Sequence, residues 1–193
     1  MRPIIIGISG ASGVAIARAA VEMLLDRRWP VILTCTAAGA AVWQQELELP
    51  LAEVVAEWQR RGLIYYDVQD LSAPIASGTY ATAGMAVVPC SMGTVSAIAH
   101  GASTNLLQRA ADVALKERRP LVVVPRETPL SPIHLENLLR LARLGVVVLP
   151  AMPAFYLRPR RIEEVVAFLA ARTLDALGVP DALAEELRYR GPA

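Results

Sequence analysis

The glycine loop near the start of the chain is the first feature whose composition could support binding chemistry. The sequence GISGASG, residues 7–13, follows an apolar run and precedes a helical pattern. A strand, a glycine loop and a helix start together are typical of phosphate binding, because free backbone N–H groups at a helix start attract anions. The spacing differs from the G-x-G-x-x-G of dinucleotide folds, and residues 34–36, Thr-Cys-Thr, lack the carboxylate that would hold the ribose. The loop therefore predicts a mononucleotide site rather than an NAD site.

A second polar helix start follows the third predicted strand. Ser91 and Thr94 flank Gly93 directly before a helical run. Either hydroxyl alone could be no more than a helix N-cap. Together with Ser12 in the glycine loop, however, Ser91 predicts a cradle for a phosphate and a ring.

Two charged residues follow the fourth predicted strand. Arg126 and Glu127 are neighbours, and strand alternation would turn their side chains in different directions. One interpretation is a surface ion pair, which contributes little to stability. The other is a cation for ligand binding beside an acid for proton transfer. Their place at a ligand-binding edge favours the second interpretation.

Lys116 is the only lysine among nineteen basic residues; the other eighteen are arginine. Genome composition explains the arginines but does not explain why one lysine remains. A compact ammonium with rotatable donors is not replaceable by a planar guanidinium where geometry is tight, so Lys116 is a candidate site residue. Arg109 lies seven residues earlier in the same predicted helix and shares its face, with Asp112 between them.

Apolar strand-like runs alternate with helical patterns along the chain, which predicts a parallel sheet covered on both faces. The predicted strands span residues 3–9, 31–35, 85–88, 121–124 and 146–149. The predicted helices span residues 13–27, 51–61, 104–118, 132–144 and 162–177. The expected fold is a three-layer, doubly wound α/β sandwich of the Rossmann-like kind, with its ligand beyond the carboxyl ends of the strands. We expect a single domain over residues 1–178 and a tail, residues 179–193, that serves as a lid or an interface segment.

Composition excludes several classes of partner. The chain is 54% hydrophobic with a net charge of +1, which argues against nucleic acid or an anionic membrane as its main partner. No apolar run approaches the length of a membrane span, and a strand predicted from residue 3 leaves no room for a signal peptide. A cytoplasmic protein with buried subunit interfaces is expected.

The cysteines and histidines do not form a recognisable site. Cys35 and Cys90 make no disulfide framework and fit buried strand ends. His100 and His134 have no partners at metal-ligand spacing, so no metal is expected.

The sequence resembles the flavin prenyltransferase family over nearly the whole chain, from Met1 to about Gly178. Four segments carry the resemblance, and their ordered combination is more specific than the glycine loop alone. They are GISGASG (7–13), VVPCSMGTVSAIAHG (87–101), NLLQRAADVALKERRPLVVVPRETPLSPIHLENLL (105–139) and PAMPAFYLRPRRIEEVV (150–166).

The resemblance implies a metal-independent transfer of a dimethylallyl group from dimethylallyl monophosphate or diphosphate to N5 and C6 of reduced FMN. The product would be prenylated FMN, the cofactor of partner decarboxylases in ubiquinone biosynthesis or aromatic acid decarboxylation. It also implies a homododecamer with sites at subunit interfaces, where Tyr156 and Arg172 act from a neighbouring chain.

Residue by residue, the resemblance assigns three sets of positions. The flavin contacts would be Gly10, Ala11, Ser12, Thr36, Ser91, Met92, Gly93, Thr94 and Arg126. The prenyl phosphate would be held by Arg109, Lys116, Tyr156 and Arg172. Catalysis would involve Ser12, Glu46, Lys116 and Glu127, with cations stabilising the leaving phosphate. The final proton acceptor is either the released phosphate or Glu127.

Two alternatives stay open at this point. A flavin-dependent cysteine-peptide decarboxylase would need a catalytic histidine near the third strand end and a flap cysteine; His100 is the only histidine near this strand end, and no such cysteine is evident. A non-enzymatic flavin carrier would keep the cradle and would need no second cluster of cations.

Overall fold

The structure is a computed structural model that describes residues 1–189 and residue 191. Its secondary structure alternates between strands and helices along the chain. In order, the elements are β1 Ile4–Ile8, α1 Val14–Asp26, β2 Val31–Cys35, α2 Ala37–Leu47, α3 Leu51–Arg60, β3 Ile64–Tyr65, β4 Gly84–Cys90, α4 Met92–Ala99, α5 Leu106–Lys116, β5 Leu121–Pro125, α6 Pro132–Arg143, β6 Val147–Val148 and α7 Ile162–Ala176. Short 3-10 turns occupy Pro74–Ala76, Phe155–Leu157 and Glu185–Leu187.

Within the described residues, the strands form one six-stranded sheet in the order β3-β2-β1-β4-β5-β6, and every pairing is parallel. The order runs outward in both directions from β1 and β4. This is the doubly wound arrangement, and it leaves a crevice at the carboxyl ends of the two central strands.

Alternation along the strands divides the core into two layers. In β1, Ile4, Ile6 and Ile8 pack on one face, whereas Ile5 packs on the other. Helices α1, α2, α3 and α7 cover the first face, which we call the α7 face. Helices α4, α5 and α6 cover the second, which we call the α5 face. The central strands are buried on both sides, as a parallel sheet requires.

The predicted fold class is confirmed, and the five predicted strands correspond to β1, β2, β4, β5 and β6. The sequence analysis missed β3, a two-residue edge strand, because a run that short carries no alternation. It also did not delimit α2, whose weak apolar pattern spreads over alanines and glycine. Helix α4 was expected only as a helical run after Ser91. Among the described residues, no helix combines the length and apolar character needed to cross a membrane.

The tail predicted over residues 179–193 begins directly after α7. Its first part is packed against the rest of the chain, since Val179 and Ala182 belong to the core on the α7 face. Residues 190, 192 and 193 lie outside the described residues.

Candidate active site

The carboxyl ends of β1 and β4 are joined by a buried hydroxyl. Ser9 is 1% exposed, and its Oγ donates to the Pro89 carbonyl at 3.2 Å and accepts from the Ser91 N–H at 2.8 Å. This bond fixes the glycine loop relative to the start of α4. The sequence analysis did not single out Ser9; the only signal was a hydroxyl at the last buried position of a strand.

Two of the predicted flavin contacts are the N-caps of helices that start at this edge. Thr36 caps α2, its Oγ1 accepting from the Gly39 N–H at 3.0 Å. Ser91 caps α4, its Oγ accepting from the Thr94 N–H at 3.3 Å. For Ser91 this is the N-cap role that stands as the alternative to ligand binding, whereas the cap formed by Thr36 was not expected. Capping uses an oxygen lone pair, so the Thr36 O–H stays available to donate to an anion.

The start of α1 differs from the expectation. Gly13, not Ser12, is the N-cap, and no side chain of the loop caps the helix. The Glu46 carboxylate reaches over from α2 instead, accepting from the Gly13 N–H at 2.9 Å and from the Val14 N–H at 3.1 Å. A carboxylate is stabilised there by the positive end of the helix dipole. A phosphate at this helix start therefore stays a prediction, and in the folded chain the Gly13 and Val14 N–H groups are bonded to Glu46.

Glycine occupies positions 10 and 93 for different reasons. A Cβ on Gly10 would lie 2.5 Å from the Ala38 Cβ, so the glycine allows the loop to pack against α2. Packing against Ala38 is thus a sufficient reason for glycine at position 10, and its flavin contact stays a prediction. Gly93, exposed in the first turn of α4, would place a Cβ with no heavy atom within 4 Å. Folding does not require glycine there, whereas a ring lying on the helix start would.

Two further predicted flavin contacts near the glycine loop and α4, Ala11 and Met92, are apolar. Ala11 and Met92 are buried, at 6% and 8% exposure, and the Ala11 N–H donates to the Ser9 carbonyl at 2.8 Å. They shape the surface of the edge rather than present polar groups to it.

Arg126 supplies an unpaired positive charge at the edge. It follows β5 and is exposed, and within residues 1–189 and 191 no hydrogen bond or ion pair involves its guanidinium. The adjacent Glu127 is exposed and accepts from the Thr128 N–H at 3.1 Å. The surface ion pair between these two residues, one of the two interpretations, does not form. Arg126 is therefore available to an anionic ligand.

A cavity of about 380 Å³ brings three of the predicted site residues together. Ser12, Glu46 and Arg126 line its polar side. Its remaining wall is mainly apolar and comes from α1, the loop after β6 and α7, including Ile16, Ala151, Pro153, Ile162, Val165, Val166 and Leu169. An apolar wall beside a carboxylate and a free cation suits a ligand with a hydrocarbon part and an anionic part.

Arg109 and Lys116 lie elsewhere, on α5. The helix packs on the α5 face, opposite α1, α2 and α7. Arg109 pairs with Asp112 at 2.7 Å and donates from Nε to the Ala76 carbonyl at 3.1 Å. Lys116, at the end of the helix, pairs with the neighbouring Glu117. That ammonium lowers the pKa of the Glu117 carboxyl through their hydrogen bond.

The end of α5 lies near the amino ends of the strands. Arg119, just beyond it, donates to the carbonyls of Gly78 and Tyr80, which precede β4, at 2.5 and 2.8 Å. Since β5 spans five residues, Lys116 is separated from Arg126 by a strand length of roughly 15 Å. Within one chain, the lysine cannot reach a ligand held at the carboxyl edge.

Tyr156 and Arg172 form a third location. Tyr156 is 52% exposed in the turn after β6, and its ring meets the Tyr189 ring edge to face, with centroids 5.4 Å apart. Arg172 is half-buried on α7 and pairs with Asp175. Because α5 and α7 cover opposite faces, one chain does not bring Arg109, Lys116 and Arg172 around a single phosphate.

The cysteines occupy the positions expected of them. Cys35 and Cys90 are free and buried. Burial raises the pKa of the Cys35 thiol to about 12 and raises that of Cys90 further. Both thiols stay protonated at neutral pH and are unsuited to nucleophilic chemistry.

Neither histidine faces the cavity. His100 Nδ1 lies 2.9 Å from the Ser96 carbonyl of its own helix, and His134 Nδ1 accepts from the Ser131 N–H at the start of α6. In the part of the chain that the structure describes, no three His, Cys, Asp or Glu residues are grouped so that they could hold a metal ion.

Comparison with known proteins places the chain in a family. The Flavoprotein family model matches residues 1–174. Flavin prenyltransferase UbiX of Alkalihalophilus pseudofirmus is 47% identical over 184 residues, which cover 92% of each chain. Flavin prenyltransferase LpdB of Lactiplantibacillus plantarum is 43% identical, covering 93% of this chain and 94% of its own.

Two crystal structures show the same fold over the full length. AnUbiX (PadA1) in complex with FMN and dimethylallyl pyrophosphate has a TM-score of 0.91 at 35% identity, covering 100% of this chain and 99% of its own. A dodecameric FMN-dependent UbiX-like decarboxylase from Escherichia coli O157:H7 has a TM-score of 0.90 at 38% identity, covering 98% and 100%. The resemblance inferred from the motifs is therefore confirmed, and the chain belongs to the flavin prenyltransferases of the Flavoprotein family.

Proposed function

We propose that this protein transfers a dimethylallyl group from dimethylallyl monophosphate or diphosphate to N5 and C6 of reduced FMN, without a metal, and so makes prenylated FMN. The observation that carries the proposal is the cavity at the carboxyl edge, where Ser12, Glu46 and Arg126 face an apolar wall. A five-carbon prenyl chain fits the apolar wall, and the polar side faces the strand ends where a flavin phosphate and ring can bind.

The residues at this edge fit FMN. The exposed Arg126 guanidinium and the Thr36 hydroxyl can bind the phosphate, and the surface left open at Gly93 admits a flat ring. The full set proposed to hold it is Gly10, Ala11, Ser12, Thr36, Ser91, Met92, Gly93, Thr94 and Arg126. When bound and reduced, the flavin supplies the electron-rich carbon and nitrogen atoms that attack the allylic group. The protein contributes position and charge.

The cations that hold the prenyl phosphate come from more than one subunit. Breaking the allylic carbon–oxygen bond leaves an anion, which cationic side chains must stabilise in the absence of a metal. Arg109 and Lys116 lie on α5, on the opposite face of the sheet from the cavity that Arg126 lines, and Lys116 also lies toward the amino edge, so a neighbouring chain supplies them in our proposal. Tyr156 and Arg172 bind the same phosphate in this proposal, and the prediction that they too act from a neighbouring chain stands beside it. It agrees with a homo-oligomer, and the dodecameric relative suggests twelve chains.

Proton handling falls to the carboxylates and to the phosphate. Glu46 is fixed on the first turn of α1, beside Ser12 and the apolar wall, and there it orients the loop and polarises the cavity. Glu127 is exposed next to Arg126 and is free to turn toward the edge. The proton released on ring closure passes to Glu127 or to the departing phosphate. Glu127→Gln separates these: only the first route loses turnover in the variant.

A mass measurement tests the reaction directly. The purified protein is incubated anaerobically with reduced FMN and either donor, in buffer treated with a chelator. We expect the mass of FMN to increase by one dimethylallyl unit with at least one donor. Unmodified FMN after long incubation with both donors would contradict the proposal and leave a flavin carrier as the better description.

Mixed oligomers test the shared site. Lys116→Ala and Arg126→Ala chains are produced separately and together. If the two residues act from different chains, a mixture of equal parts restores about a quarter of the sites, whereas each variant alone is inactive. No recovery in the mixed oligomer would place both residues in the same chain and contradict the arrangement.

Three further assignments belong to the proposal. The product is delivered to a decarboxylase that uses prenylated FMN. The location is cytoplasmic, which agrees with two buried cysteines that remain free. Residues 1–178 form the flavin-binding domain, and residues 179–193 form a tail.

A further inference from the structure

The outer face of α7 carries a line of residues that ends at Arg172. Phe168, Arg172 and Asp175 follow one another at spacings of four and three residues, so they share one side of the helix. Arg172 Nη1 donates to Asp175 Oδ2. The Arg172 side chain is 41% exposed, so part of it is accessible to solvent.

The tail crosses this line. Its 3-10 turn Glu185–Leu187 is followed by Arg188, whose Nη2 lies 3.4 Å from Asp175 Oδ1. Asp175 therefore binds two arginines, one through each carboxylate oxygen. One is Arg172 of α7, and the other is Arg188 of the tail, thirteen residues after Asp175.

The next residue of the tail reaches the turn after β6. The Tyr189 ring meets the Tyr156 ring edge to face, with 5.4 Å between centroids and an interplanar angle of 77°. Both rings are more than half exposed, at 68% and 52%. The pair thus holds its geometry through the ring contact rather than through burial in a core.

A small cavity of about 260 Å³ lies between the same three segments. Leu157 from the turn, Phe168 from α7 and Leu187 from the tail are among the residues that line it. Residues 185–189 therefore connect the turn that carries Tyr156 to the helix that carries Arg172.

From this geometry we infer that Asp175 and Tyr189 are positioning residues for the prenyl phosphate: Asp175 orients the Arg172 guanidinium, and Tyr189 orients the Tyr156 ring. The inference rests on the proposed function, in which Arg172 and Tyr156 bind that phosphate. Asp175 accepts from Nη1, and in the described part of the chain the other guanidinium N–H groups have no partner, so they remain available to an anion while the side chain loses less rotamer freedom on binding. The edge-to-face contact restricts the Tyr156 ring in the same way.

The test compares Asp175→Asn and Tyr189→Ala with the parent enzyme in steady-state prenyl transfer. We expect KM for the dimethylallyl donor to rise about tenfold in each variant, with kcat changed much less. The reason is that the free-energy cost of ordering the Arg172 and Tyr156 side chains is incurred when the donor binds, not in the chemical step. The Kd for FMN stays at the parent value. Tyr189→Phe restores the parent KM, since the ring contact needs no hydroxyl.

Glu22→Gln is the matched control. Glu22 pairs with Arg18 on α1 at 3.1 Å, with side-chain exposures of 40% and 43%. The Glu22→Gln variant therefore removes the carboxylate of a comparable arginine pair that the tail does not touch. Its KM should equal that of the parent. Amide hydrogen exchange gives a second readout: the Leu187 and Arg188 N–H groups, which bond Ala184 and Glu185 carbonyls, should exchange faster in Tyr189→Ala.

A parent-like donor KM in both variants would overturn the inference. So would a lower KM in Asp175→Asn, because it would mean that Asp175 only neutralises Arg172. Failure of the proposed function is distinguishable, since the parent enzyme would then transfer no prenyl group, while the exchange readout would still report the tail contacts.

Discussion

Replacing Gly93 with alanine should stabilise the chain and weaken flavin binding at the same time. In the structure, the added methyl meets no heavy atom within 4 Å, and residue 93 lies inside α4. Alanine is favoured over glycine in a helix by up to ~1 kcal/mol, chiefly because an alanine residue has less conformational freedom in the unfolded chain and so loses less of it on folding. In a domain of this size, such a gain raises the melting temperature by roughly 2–4 °C.

The same methyl stands where the proposed flavin ring would lie. Forcing one methyl group into a close contact costs about 1–3 kcal/mol, which corresponds to roughly a 5- to 150-fold rise in Kd for FMN. Thermal melting of the flavin-free protein and a titration of flavin fluorescence measure the two effects on one preparation. Unchanged FMN affinity in a correctly folded Gly93→Ala protein would refute the placement of the ring.

Gly10→Ala is the matched control for that experiment. Its Cβ would lie 2.5 Å from the Ala38 Cβ and 3.3 Å from the Ala38 carbonyl carbon, and backbone cannot yield as a flexible side chain does. We expect a loss of about 1–3 kcal/mol in the free energy of unfolding. The same chemical change should therefore shift the melting temperature in opposite directions at the two glycines.

Three further perturbations have defined outcomes. Glu46→Gln removes the charge that caps α1 and should lower the free energy of unfolding by about 1 kcal/mol in denaturant titrations, with Glu57→Gln, at an exposed position past the first turn of α3, as the control; equal midpoints for Glu46→Gln and the parent would contradict the cap. Lys116→Arg should keep FMN binding and slow prenyl transfer, because a guanidinium fork cannot take the position of an ammonium, and parent turnover would remove Lys116 from the site. The Cys35 thiol, with its pKa raised to about 12, should resist alkylation at pH 8 in the folded protein and react in denaturant. Because that pKa lies above the unfolded value, the contribution of the buried, protonated Cys35 thiol to the stability of the fold is fully present below about pH 8.5. This contribution declines as the pH rises toward 12, so the melting temperature should fall over that interval. A melting temperature that does not change with pH there would contradict the prediction.

The sequence predicted the sheet well because its central strands are apolar on both faces and flanked by clear helices. It could not delimit α2, since alanines and glycines carry little periodic signal, and so it could not show by spacing that Glu46 reaches α1; that position came from the family resemblance. The role of Ser9 was equally hidden, because a hydrogen bond between residues 9 and 91 depends on which strands are neighbours.

The separation of Lys116 from Arg126 was also beyond sequence reasoning. The seven-residue spacing predicts that Arg109 and Lys116 share one side of a helix, but it does not tell which face of the sheet that helix covers. Whether a helix covers one face or the other is set by the order in which strands join the sheet. The positions of Arg126 and Ser91 at strand ends, by contrast, followed from the general rule for parallel sheets.

The glycine loop is braced on two sides: Ser9 ties it to β4, and Gly10 packs against Ala38 at the start of α2. A loop held this way is preorganised. A ligand that binds to it does not have to order a mobile segment, so little conformational entropy of the loop is lost on binding. The glycine loop should accordingly have the same conformation in the flavin-free and the flavin-bound protein. The rate of flavin association is then set by access to the carboxyl edge of the sheet rather than by rearrangement of the loop.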